Sequence, residues 1–169
     1  MEANHLKQKG FTLFELIVVS IVIGIIVAIG VGYYTQALKD SQKAGVELLA
    51  NRFATVAALL HAQWITEGKP SEVELQGEQI LFSQSGWPKG VVELEPDSIK
   101  DNCFHLWHAL FQNPANLTVD QPKKGFTYYT KGKGNPSCQY HLITNSSENY
   151  YFEYFPSNGK VISKVANAH

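Results

Sequence analysis

No side chain between residues 16 and 38 carries a charge, and residues 16–31 are almost wholly aliphatic. A stretch of that length crosses a bilayer as one helix, because a helix satisfies its own backbone donors and acceptors in hydrocarbon. Lys7 and Lys9 precede it, so the positive-inside bias holds the N-terminus in the cytoplasm and sends the rest of the chain across. A secretory signal peptide would have a shorter apolar run, closed by a small-residue cut site and a turn. Here the run continues without proline through Gln63. The apolar segment is therefore retained, and any cut falls before it. An uncleaved signal anchor is the plainer alternative.

Glu15 disturbs that picture. A lone carboxylate near the start of an apolar helix is costly in hydrocarbon and is kept for a reason more often than by accident. Its setting is Lys9-Gly10-Phe11-Thr12-Leu13-Phe14-Glu15-Leu16. This octapeptide resembles the class III signal of type IV prepilins and type II secretion pseudopilins: a charged leader, Gly at the cut, Phe next, Glu at the fifth retained position, then aliphatics. Phe14 stands where that family more often has Ile, and it keeps the position apolar. The resemblance implies that a prepilin peptidase cuts between Gly10 and Phe11 and N-methylates the new Phe11 amine. It also implies that Glu15 meets the positive N-terminus of a neighbouring subunit during assembly. That role makes physical sense, since an ammonium and a carboxylate desolvated together compensate each other, whereas either alone is penalised.

The chain then divides into a leader (1–10), a transmembrane and assembly helix (11–34), an amphipathic continuation (35–67) and a globular head (68–169). Tyr33 and Tyr34 suit a membrane interface. Beyond them Val46, Leu49, Phe53, Val56, Leu60 and Trp64 recur at three- and four-residue steps, a stripe expected to lie on the head. Gly68-Lys69-Pro70 is a strong stop. Gly24, Gly30 and Gly32 permit close helix packing or provide a soft spot. Many pilins have a proline where this chain has Gly32, so a proline-set kink is not expected.

The head is small enough to benefit from a covalent staple. Cys103 and Cys138 form no Cys-x-x-Cys pair, which argues against structural zinc and thioredoxin-like chemistry. With the head outside the cytoplasm, a disulfide between them is the natural reading. Residues 97–112 predict a second helix, with Ile99, Cys103, Leu106 and Leu110 as its stripe and Asn113-Pro114 as its end. Short apolar runs at 79–82 and 91–94 are separated by Gly86-Trp87-Pro88. Residues 126–130, 138–143, 150–155 and 160–165 are rich in aromatic and β-branched residues and divided by turn formers, which predicts an antiparallel meander of about four strands. The fold class is α+β. Together with the class III signal it implies the type IV pilin fold, a long N-terminal helix packed on that sheet. In many pilins the disulfide brackets the C-terminal loop, so the Cys103–Cys138 placement departs from the commonest pattern. Residues 57–64 and Gly86-Trp87-Pro88 resemble pilins of the mannose-sensitive haemagglutinin (MSHA) group, its minor pilin B in particular.

Chemistry beyond assembly is sparse. His105 and His108 stand three apart without a third ligand at sensible spacing, so no metal or other cofactor is expected, and His61 reads as a packing or surface residue. No Asp/Asn-rich calcium loop is present, and Lys131-Gly132-Lys133-Gly134 lacks phosphate-loop spacing and reads as a hairpin turn. No Ser/His/Asp grouping supports an enzyme. Lys123, Lys124, Lys131 and Lys133 surround Phe126, Tyr128 and Tyr129. Such a cluster could hold single-stranded nucleic acid, but lysines guarding a strand edge are the favoured reading. Net charge is −1, yet residues 72–101 hold seven acids and residues 121–169 six lysines. Opposite patches of this kind could meet between adjacent subunits.

The function implied is a structural subunit, a minor one, of a type IV pilus serving adhesion or surface attachment. Its partners would be the prepilin peptidase, other pilin subunits, the pilus assembly machinery and the inner membrane. It would cross that membrane once with its head in the periplasm, then reside in the pilus at the cell surface. A type II secretion pseudopilin is the alternative, and a membrane-tethered ligand-binding module a third reading.

Overall fold

A computed structural model describes residues 11–92, 99–131 and 137–167. Gly10 and the rest of the leader, Leu94 of the second apolar run, the first two residues of the expected second helix and Lys133 lie outside the described residues. The chain forms two compact units, divided between Ser41 and Gln42.

The first unit holds the beginning of α1, which runs Leu13–Thr66. Its aliphatic side chains are all exposed, from Leu13 to Val31, and α1 is long and apolar enough to cross a membrane. The helix passes unbroken through Gly24, Gly30 and Gly32. Ser20 and Thr35 fold their hydroxyls back onto the carbonyls of Leu16 and Gly32 at 2.8 and 2.9 Å. Polar side chains in an apolar segment are thereby satisfied locally.

The second unit begins with the remainder of α1. Val46, Ala50, Phe53, Ala57 and Leu60 are buried there, with Leu49, Val56 and Trp64 half-buried beside them. The stripe expected from the sequence is the buried face, with Ala50 and Ala57 completing it. The stop works through a left-handed Gly68 (φ 82°), which lets Lys69 N–H reach Trp64 C=O at 2.8 Å and Gly68 N–H reach Ile65 C=O at 3.3 Å. Two of the orphan carbonyls at the helix end are thus capped.

Two sheets follow. The first contains β1 (Glu72–Leu75), β2 (Glu78–Phe82) and β3 (Pro88–Val91), all antiparallel. Gln76 and Gly77, both at positive φ, close the β1–β2 hairpin, the two-residue turn whose twist suits adjacent strands. Only Val91 of the second apolar run falls in β3, which opens on Pro88, where a strand's first residue needs no ladder donor. After α2 (Ile99–Leu110) comes the second sheet, in the order β4-β5-β6-β7-β8, with β4 at Leu117–Val119, β5 at Tyr128–Lys131, β6 at Cys138–Leu142, β7 at Glu148–Phe155 and β8 at Lys160–Asn167. The four expected strands are β5 to β8, antiparallel throughout. To this meander β4 adds a fifth strand, parallel to β5. The sheet is therefore mixed.

Strand alternation sorts the second sheet into two faces. Tyr128, Thr130, Cys138, Tyr140, Tyr150, Phe152 and Tyr154 point inward and are buried. Phe53 of α1 meets the rings of Tyr140, Phe152 and Tyr154 at 5.5, 5.6 and 4.9 Å. Trp107 of α2 packs on Tyr128 and Tyr140 at 5.2 and 5.0 Å, and its indole N–H donates to Ala115 C=O at 3.0 Å. Tyr140 and Tyr154 donate their hydroxyls to the carbonyls of Cys103 and Pro88, both at 2.8 Å. These two buried phenols thus each carry a partner. Burial holds both well above the ordinary phenol range.

Candidate assembly site

The start of α1 is built by four hydrogen bonds. Thr12 C=O accepts the first helical bond from Leu16 N–H at 3.1 Å. Thr12 Oγ1 accepts from Glu15 N–H at 3.3 Å. In return the Glu15 carboxylate takes the Thr12 amide and hydroxyl, both at 2.9 Å and both on Oε2. This is the reciprocal arrangement of a capping box, with Thr at the N-cap and Glu three residues on. The carboxylate also sits at the positive end of the helix dipole. Glu15 is therefore engaged within its own chain as well as being a candidate for contacts outside it. Sequence reading passed over Thr12, although the Thr-x-x-Glu spacing was there to be read.

Phe11 is 79 % exposed and immediately precedes this cap. Gly10, the other side of the expected cut, lies outside the described residues.

Cys103 and Cys138 are joined by a disulfide between α2 and β6, with Cα atoms 5.4 Å apart. Both are buried. The closed loop, 35 residues in sequence, stabilises the head by about 4 kcal/mol on a chain-entropy argument.

The remaining candidates are dispersed. His61 is a packing residue: its ring lies parallel to Trp87 at 4.2 Å and to Trp64 at 5.8 Å, and Nδ1 is 2.6 Å from Gly86 C=O. His105 and His108 flank Phe104 on α2. Partial burial, followed by the neighbouring charge of His105, holds His108 below the ordinary histidine range, with Glu78 acting the other way. Among the described residues no three metal-capable side chains gather. The lysine-flanked rings do not form one platform. Tyr128 faces inward against Trp107, while Tyr129 lies on the opposite face, stacked on His141 at 4.8 Å.

On that outer face Glu153, almost fully buried, accepts from Ser137, Gln139 and Lys164, each at 2.9 Å. Burial alone would raise its pKa, but the bonds from Lys164, Gln139 and Ser137 outweigh it and hold the carboxyl below its ordinary range. The same bond raises Lys164.

The prokaryotic N-terminal methylation motif matches residues 5–31. The chain is 43 % identical over 117 residues to the type IV major alpha-pilin of Moraxella bovis, covering 66 % of this chain and 74 % of that protein. It is 34 % identical over 86 residues to a ComG operon protein 3 homolog of Bacillus licheniformis, covering 50 % of this chain and 87 % of that one. No solved structure matches it. An apolar helix beginning in a methylation motif, a disulfide-bonded α+β head and a likeness that spans most of a major pilin lead to one conclusion: the chain belongs to the type IV pilin family.

Proposed function

We propose that the chain is the precursor of a minor subunit of a type IV pilus, used for adhesion or surface attachment. In this reading residues 1–10 are removed between Gly10 and Phe11, and the Phe11 amine is methylated. The helix start then assembles with other pilins through Glu15. Before assembly the chain crosses the inner membrane once with its head in the periplasm. The observation that carries the reading is the methylation motif over residues 5–31, opening an apolar helix whose side chains no part of the first unit covers. The narrower likeness to MSHA minor pilin B rests on residues 57–64 and Gly86-Trp87-Pro88 alone.

Mass spectrometry of the protein from its native host tests the processing. The expected N-terminus is Phe11 carrying one methyl group. Retention of Met1 through Gly10 would remove the basis for assembly by this route. The likeness to a ComG operon protein favours a second reading, a pseudopilin-type filament. The two part on a deletion strain: loss of surface pili with export intact supports the pilus, and the reverse supports the pseudopilus.

A further inference from the structure

The capping box has two properties that bear on assembly. First, processing leaves it whole. Thr12 donates through its peptide N–H, and the bond between Phe11 and Thr12 survives a cut after Gly10. The new amine would then lie one residue before the cap. Second, the box uses the carboxylate unevenly. Both Thr12 contacts fall on Oε2, and neither engages Oε1. A carboxylate accepts at either oxygen, so the Thr12 bonds leave one of them open while fixing the χ angles that aim it.

We propose that Thr12 is a positioning residue for subunit assembly: it pins Glu15 through Oε2 so that Oε1 is presented, pre-oriented, to the cationic N-terminus of an incoming mature subunit. This rests on the assembly reading of Glu15. Pre-orientation helps because an unpinned glutamate would have to lose its rotamer freedom in the encounter. It also keeps the carboxylate hydrogen-bonded before the neighbour arrives, when an unpaired charge in an apolar setting is most costly.

A double-mutant cycle in the native host tests this, read as the fraction of processed, methylated subunit found in sheared filaments. Thr12→Val keeps the shape and the peptide N–H but loses the hydroxyl, and should lower incorporation by roughly five-fold, the scale of one lost cap. Thr12→Ser should restore it. Glu15→Gln should lower incorporation further, and adding T12V to E15Q should change nothing more, because a pin has no work once the carboxylate is gone. Wild-type incorporation of T12V, or T12V and E15Q effects that multiply, would overturn the positioning role, the latter by marking Thr12 as a generic helix cap. Loss of leader removal in T12V would also overturn it, by assigning Thr12 to peptidase recognition. Normal incorporation of E15Q alone would instead strike the assembly reading itself, so the two failures are separable.

Discussion

The apolar stretch of α1 and the globular unit bury their greasy side chains by opposite means. Between Gln42 and Asn167, aromatic rings from α1, α2 and the second sheet cover one another: Phe53, Trp107, Tyr140, Phe152 and Tyr154 are all inaccessible to solvent. Between Leu13 and Val31 nothing in the first unit covers the aliphatic side chains. One region completes its core within a single chain. The other needs lipid or neighbouring helices as its second half. Its polar groups obey the same division, for Glu15, Ser20 and Thr35 all turn to groups three or four residues earlier in the chain.

If the regions are independent in this way, damage to one should leave the other's readout alone. Phe53→Ala should do the most to the head. It removes the ring at the centre of four aromatic contacts, at about 3–5 kcal/mol. Denaturant unfolding of the full chain in detergent, followed by tryptophan fluorescence, reads that loss, with membrane insertion unchanged. Replacing Cys103 and Cys138 together by Ala should cost about 4 kcal/mol in the same assay. A loss near zero would mean the reduced head is already held by its core.

Gly159→Ala bears on a single turn of the head. Gly159 adopts φ 71°, and a Cβ there would meet the Trp87 ring at 2.3 Å. Strain and displacement together predict a loss of roughly 2 kcal/mol or more, against about 1 kcal/mol at Gly125, where φ is also positive but nothing lies within 4 Å. The smallest effect concerns pH. Because the folded state holds Glu153 below its ordinary carboxyl value, its contribution is present above that value and fades as pH falls through the lower, folded one. Lys164, raised in the folded state, contributes until pH climbs past its own range. With Lys164 41 % exposed, Glu153→Gln should lose under about 1 kcal/mol at neutral pH. It should also flatten the acid limb of the stability curve.

What the sequence disclosed follows the length of the signal. The 54-residue α1 and its glycine stop announce themselves through periodicity and φ preference. Strands β5 to β8 do so through aromatic density between turns. Strand β4 has three residues and no alternation to detect, and it exists because α2 and β5 leave a place beside them. Gly86-Trp87-Pro88 reads as a breaker, whereas Pro88 opens β3 and Trp87 stacks on a helix residue 26 positions earlier, His61. Such contacts depend on tertiary placement that no local pattern encodes. At the candidate site the reverse holds: Phe11, Thr12 and Glu15 all lie in one octapeptide, residues 9–16.

On the proposed function, the carboxylate of Glu15 serves assembly and has no part in holding the head together. The direct measurement is Glu15→Gln in the full-length protein, scored in parallel for head unfolding and for incorporation into filaments. An unchanged unfolding midpoint with incorporation reduced ten-fold or more is the predicted result (roughly 1.4 kcal/mol or above). Wild-type incorporation would remove Glu15 from assembly and leave α1 as a tether for the head.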